Sequence, residues 1–118
     1  MKISMKQGEI WLINLDPTIG AELKKTRPAI TVNENSIGKL PLKVIVPITD
    51  WEDHYEIAPW MVQILPNNSN KLKKISSADC FQVRSLSEKR IINKLGKIDS
   101  ETLEKIKDGL SKVLSIGY

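Results

Sequence analysis

Apolar residues follow two periods along this chain, and the predicted elements follow from the change between them. Gly8 to Leu15 is a short apolar run rich in β-formers and stopped by Asp16-Pro17, the mark of a buried strand. Pro28 to Val32 predicts a second strand behind a charged loop from Thr18 to Arg27. Leu42 to Ile48, bounded by Pro41 and Pro47, predicts a third. Trp60 to Leu65 predicts a fourth, closed by the turn signal Pro66-Asn67-Asn68-Ser69-Asn70, and Asp79 to Leu86 a fifth. From Leu103 the apolar positions become Ile106, Leu110, Val113 and Leu114, one face of an α-helix. Asp99 or Ser100 is placed to cap that helix by accepting from its free N–H groups, and Glu101 and Glu104 sit where the helix dipole favours negative charge. Ser87 to Arg90 allows a short helical turn. Short strands followed by one helix predict a mainly β fold with a C-terminal helix. The expected form is a small curved antiparallel sheet or partly open barrel, one domain over residues 1–118. So small a sheet with one helix makes a thin core, which predicts dimerisation.

Composition narrows the classes. The 118 residues are 41% hydrophobic and 27% charged, the balance of an ordinary soluble domain. No run of about 18 apolar residues occurs, which excludes a membrane-spanning helix. The opening Met1-Lys2-Ile3-Ser4-Met5-Lys6-Gln7 lacks the apolar stretch of a signal peptide, so a cytoplasmic location is expected. Cys80 is the one cysteine and His54 the one histidine, too few for an intramolecular disulfide or a cage of nitrogen and sulfur ligands. No metal and no cofactor is expected. The net charge of +4 is distributed in blocks. Residues 49–65 hold four acids and no Lys or Arg, whereas residues 66–98 hold eight Lys/Arg against two acids. A basic middle beside an acidic loop points to a polyanion held at one surface, with solvated lysines the plainer explanation.

Few conventional catalytic groups remain. A lone histidine in an acidic loop, as His54 is, is more often inert than catalytic. Cys80, inside the predicted fifth strand, reads as a small core thiol. No Gly-rich phosphate loop, HExxH or GxSxG motif is present. Catalysis would have to use arginine, carboxylates, hydroxyls and backbone dipoles, a set suited to phosphoryl chemistry. The segment from Asp16 to Ile30 stands out as a polar, Gly-containing loop ending in Arg27-Pro28 at the mouth of a strand. Proline confines the residue before it to extended backbone, so the sheet aims a guanidinium whose planar fork matches a phosphate. A surface ion pair with Glu22 is the plainer role for Arg27.

Several pieces then follow one another along nearly the whole chain. They are Gly8-Glu9-Ile10-Trp11, the Asp16-Pro17 turn, Gly20-Ala21-Glu22 leading to Arg27-Pro28, and Val46-Pro47-Ile48-Thr49. Asp79 to Ser85, Arg90, Leu95-Gly96 and the final helix complete the series. Their order and spacing resemble the MazF/PemK family of toxin endoribonucleases from bacterial toxin–antitoxin systems. That family commonly has Ser before the Glu and Gln after it, where this chain has Ala21 and Leu23. The resemblance implies an SH3-like, CcdB-type barrel forming a homodimer, with single-stranded RNA in a groove along the subunit interface. It also implies metal-independent cleavage at a short recognition sequence, with Arg27 and Thr49 as the catalytic pair. The substrate's own 2′-hydroxyl would attack phosphorus, leaving a 2′,3′-cyclic phosphate and a 5′-hydroxyl end. Arg27 would stabilise charge on the phosphorane oxygens and the Thr49 hydroxyl would donate to the same group. Arginine stays protonated and makes a poor base, so Glu22, the acid of that loop, is the candidate base or the residue that orients Arg27.

For RNA contact the candidates are Gln82 and Arg84, which alternate with Val83 on the predicted fifth strand and so share a face that the resemblance turns toward RNA. Lys24 and Lys25 of the loop and Lys73 of the run Lys71-Leu72-Lys73-Lys74 offer phosphate attraction. Trp51 is the aromatic expected to be exposed for stacking, while Trp60 and Phe81 are expected in the core. The implied partner is a cognate antitoxin whose acidic tail competes with RNA for the basic surface. Two other classes stay open. A non-enzymatic CcdB-like protein poison would act through a C-terminal Trp-Gly-Ile, where this chain has Ile116-Gly117-Tyr118. A non-catalytic single-stranded RNA binder would keep Gln82, Arg84 and the lysines but need neither Arg27 nor Thr49. The acidic segment after Thr49 is expected to repel unselected phosphates and narrow the sequences admitted.

Overall fold

The computed structural model describes residues 4–37 and 40–117; Met1–Ile3 of the opening segment and Tyr118 of the terminal tripeptide lie outside them. Strand β1 (Glu9–Asn14) and strand β2 (Thr26–Thr31) form a hairpin whose long connection is the Arg27 loop, in register from Ile10↔Ile30 to Asn14↔Thr26. Then come β3 (Leu42–Asp50), β4 (Met61–Ile64), β5 (Ser76–Asp79), β6 (Arg84–Ser87), β7 (Ile91–Lys97) and the helix α1 (Ser100–Leu114). All pairs are antiparallel, in the order β4-β5-β3-β2-β1-β7, with β6 also on β3. The sheet is curved, unclosed and mainly β with a C-terminal helix, as the pattern predicts. Strand β3 is shared: its start pairs with β6 up to Ile45↔Arg84 and its end with β5 from Ile48↔Ala78. Val46 and Pro47 fall between those two ladders, where proline's missing N–H breaks neither.

The predicted fifth strand is two strands. Asp79 Oδ1 accepts the Phe81 N–H at 3.1 Å, and the chain makes a 3₁₀ turn over Cys80–Gln82 before β6 begins. A short polar side chain that bonds backbone two residues on competes with the ladder, and here it wins. Gln82 and Arg84 therefore do not alternate along one strand: Gln82 ends the turn and Arg84 opens β6. The same turn swings Phe81 outward, 64% exposed, with its ring edge-on to Trp60 at 5.7 Å; the expectation of Phe81 in the core fails for this reason. Strands β5 and β7 carry no periodic signal. Ser76, Ser77, Ala78 and Asp79 are all buried, and β7 shifts register twice against β1. Glu88–Arg90 forms the short helical turn that the pattern allows.

The two faces of the sheet bury separate apolar clusters. Ile10, Ile30, Val46 and Ile48 join Val62, Ile64, Cys80 and Ile106 of the elements around α1, while Ile13, Ala29 and Ile45 join Leu15 and Leu86 on the other face. Ile106 of α1 is fully buried, worth roughly 1.5–3 kcal/mol in removed apolar surface. Leu103, Leu110 and Val113 flank it, but Leu114 at the helix end is 57% exposed. Asp99 is the cap, its Oδ1 accepting the Thr102 N–H at 2.7 Å. One close approach admits only glycine, a Cβ on Gly96 lying 2.3 Å from the Ser69 carbonyl oxygen, and a second favours it, a Cβ on Gly109 lying 2.9 Å from Cys80 Sγ.

Candidate active site

Arg27 and Thr49 each lie two residues beyond the Ala29↔Pro47 pair that ends the β2–β3 ladder, so by strand alternation they lie on one face. Both are half-buried, and both line a cleft of about 360 Å³ together with Asp50, Lys71, Lys73 and Lys74. The Arg27 Nε donates to the Lys24 carbonyl at 3.0 Å, which fixes the root of the guanidinium in the loop that precedes it. Among the described residues no carboxylate forms an ion pair with Arg27.

Glu22, Gln82 and Arg84 line a second cleft of about 520 Å³, with Leu15, Leu23 and Phe81. Pro47 belongs to this second cleft and Thr49 to the first, so the two are neighbours along β3. Glu22 closes its own turn: Oε1 accepts the Ile19 N–H at 2.6 Å. Gln82 Oε1 accepts the Leu23 N–H at 2.6 Å and its Nε2 donates to Asp79 Oδ2 at 2.9 Å, while Arg84 reaches the Leu15 carbonyl at 3.4 Å. Lys24 and Lys25 are exposed in the loop, with the Lys25 N–H held by Asp16 Oδ1 at 2.9 Å. Trp51 follows directly on β3, half-buried, and packs edge-on to Tyr55 at 5.8 Å. Lys74 lies 3.9 Å from Asp50, an exposed pair.

The pattern overlooks two groups near the site. The Tyr55 hydroxyl is pushed above its ordinary value, first by burial, then by Glu52, with which it hydrogen-bonds, and by the Asp79 charge; the Arg27 guanidinium pulls the other way and so lies within reach of it. Asp79 is 4% exposed, and burial raises its carboxyl against hydrogen bonds from Gln82 and Phe81. A tyrosine among acids and an aspartate in a serine-rich strand give no periodic signal. His54 is exposed 3.6 Å from Glu52, and burial pushes the Cys80 thiol up to about 12. Among the described residues no three His, Cys, Asp or Glu side chains gather to hold a metal ion, and no helix is long and apolar enough to cross a membrane.

Residues 6–114 match the family described as PemK-like, MazF-like toxin of type II toxin–antitoxin system. The chain belongs to this family. A curated relative, the endoribonuclease PemK of Escherichia coli, is 30% identical over 97% of this chain and 85% of its own. Among solved structures, MazF from Deinococcus radiodurans superposes with a TM-score of 0.81 at 22% identity, covering 98% of this chain and 100% of that one. An endoribonuclease from a mycobacterial species, solved in complex with its cognate antitoxin, gives 0.75 at 18% identity over 96% and 97%. The fold of this MazF-like toxin is thereby placed with theirs. Its matched residues run through both clefts, from the Arg27 loop to Arg84.

Proposed function

We propose that this toxin is an endoribonuclease that cuts single-stranded RNA without a metal, using Arg27 and Thr49. The observation that carries this reading is one cleft in which a guanidinium and a threonine hydroxyl share a face beside Lys71, Lys73 and Lys74. The lysines draw the phosphate chain in, and the two donors meet the phosphoryl group where negative charge grows. The 2′-oxygen bonds to phosphorus, the bond to the 5′-oxygen breaks, and the products are a 2′,3′-cyclic phosphate and a 5′-hydroxyl end. Glu22 is the carboxylate offered for the 2′-hydroxyl proton; an unchanged pH–rate profile in Glu22→Gln would remove it from that role. Gln82, Arg84, Lys24, Lys25, Lys73 and Trp51 surround the path of the RNA. The chain acts as one domain in a cytoplasmic homodimer, and an antitoxin with an acidic tail blocks the basic cleft. The names of the PemK relative and of the mycobacterial toxin–antitoxin complex support the activity and the partner.

The test is purified protein with a long single-stranded transcript in EDTA. Discrete fragments ending in cyclic phosphate are expected. Losing one donor to the developing oxyanion costs about 10²–10³ in rate, so Arg27→Ala and Thr49→Val should each fall by that factor. Intact RNA, or an Arg27→Ala protein that cuts like wild type, would instead favour a binding protein.

A further inference from the structure

Gln82 is placed by its sequence context to read RNA, yet its amide is already committed inside the protein. Its carbonyl accepts the Leu23 N–H at 2.6 Å, across 59 residues of sequence, and its NH₂ donates to Asp79 Oδ2 at 2.9 Å. Asp79 is buried and forms no ion pair among the described residues; its other oxygen takes the Phe81 N–H at 3.1 Å. A buried carboxylate with no cation must be met by donors, because an unpaired charge there would carry its full desolvation penalty. That requirement leaves the amide one orientation: NH₂ toward Asp79, carbonyl toward the loop.

The loop is held at three places. Asp16 takes the Lys25 N–H, Glu22 closes the tip on Ile19, and Gln82 ties Leu23 to the turn after β5. The residue after Leu23 is Lys24, and its carbonyl is the one that accepts Arg27 Nε at 3.0 Å. An unbroken path therefore runs from the Asp79 carboxylate through the Gln82 amide and the Leu23–Lys24 backbone to the root of the guanidinium. A hydrogen bond at Nε fixes the plane of that group and leaves its terminal N–H groups for a phosphate.

We infer that Asp79 and Gln82 are a positioning pair for Arg27: Asp79 orients the Gln82 amide, Gln82 holds the loop backbone, and that backbone presents the carbonyl on which Arg27 rests. The inference builds on the proposed cleavage reading. The contribution of Gln82 to the rate runs through Arg27, apart from its place beside the path of the RNA.

Two variants test it, the first with a readout that needs no activity. In Gln82→Ala the Arg27 Nε–H proton, followed by NMR, should lose its protection from exchange. The saturating cleavage rate in EDTA should fall about 10- to 100-fold, with little change in KM, as expected for a displaced catalytic group. Gln82→Glu has the shape of glutamine but can replace the amide only when it shares a proton with Asp79. Its acid O–H then donates to Asp79 and its other oxygen accepts from Leu23. Its rate relative to wild type should be low at about pH 8 and recover toward about pH 5.5, as the two facing carboxyls take up one proton. Burial first, and then the Asp79 charge among other causes, raises the neighbouring Tyr55 and Cys80, the thiol to about 12, so neither titrates in that window. Glu22 and Arg84 line the same cleft as Gln82 in both proteins, so the ratio to wild type removes their share. An Arg27 Nε–H equally protected in Gln82→Ala, or a relative rate for Gln82→Glu flat across pH, would overturn the inference. If the Arg27 proton responds as expected while neither Gln82→Ala nor Arg27→Ala slows cleavage, the positioning stands and the assignment of Arg27 to the reaction fails.

Discussion

Gly109 shows what one methyl group can decide. The helix there rides so close to Cys80 that a Cβ would sit 2.9 Å from the sulfur, while the Pro59 carbonyl oxygen stands at an ordinary 3.6 Å. Gly109→Ala gains about 1 kcal/mol of helix propensity but overpacks this contact, which costs typically 1–3 kcal/mol, so a net loss in denaturant stability is expected. In a Cys80→Ala background the sulfur is absent and the same substitution should become neutral or stabilising; additive effects would show that the contact is not the cause. The thiol itself should resist alkylation in the native protein and react on unfolding, since it is fully buried and raised to about 12. At this scale the sequence is legible where a residue's chemistry is set by its neighbours in the chain. Arg27 is aimed by Pro28, and Cys80 reads as core because nothing nearby could activate it. Gln82 is not legible in that way, because its partner Leu23 comes from a distant loop and its bond to Asp79 depends on a turn that the pattern mistakes for strand.

Among the elements, α1 is the one its pattern describes best: a cap, an apolar stripe, and a face that meets the sheet. Backbone and hydroxyl hydrogen bonds from Thr102 hold the Asp99 carboxyl below its usual range. A carboxylate whose folded pKa is lowered stabilises the fold above its unfolded value of about 3.9, and that stabilisation is lost as pH falls through the folded value. Asp99→Ser keeps a cap that does not titrate. The difference in melting temperature between wild type and Asp99→Ser should be constant near neutrality and shrink below about pH 4; a difference independent of pH would deny the cap its charge. The strands are less legible for two physical reasons. β5 is buried on every side chain, so burial leaves no alternation to detect, and the irregular register of β7 against β1 scrambles its own. Division of the predicted fifth strand follows from the single Asp79 side chain.

For the whole molecule, the proposed contact with RNA rests on the block of positive charge. Each single-strand phosphate contact contributes about 0.7 to the slope of log affinity against log salt, so Lys73→Met should weaken binding and flatten the slope by about that amount. Asp50 faces Lys74 across 3.9 Å of solvent, a pair worth little for stability. Neutralising Asp50, Glu52 and Asp53 should leave the melting temperature nearly unchanged yet broaden the set of sequences cut. An unaltered map of cut sites would reduce the segment to a solvated loop. Net charge and block structure point to a kind of ligand; which residues line the two clefts depends on strand order and has no trace in composition.

The turn before the lysine run carries a consequence of its own. Asn70 is buried, its Oδ1 accepting the N–H groups of Asn67 and Leu72 and its Nδ2 donating to the Leu65 carbonyl. Lys97 clips the same turn through the Ser69 carbonyl at 3.0 Å, against the bare backbone of Gly96. The lysine run thus leaves a turn whose backbone is already ordered, so on the proposed reading a bound RNA has mainly side-chain rotamers left to restrict there. On that reading, affinity for RNA is open to tuning by a neutral amide outside the Arg27 cleft, with every charge left in place.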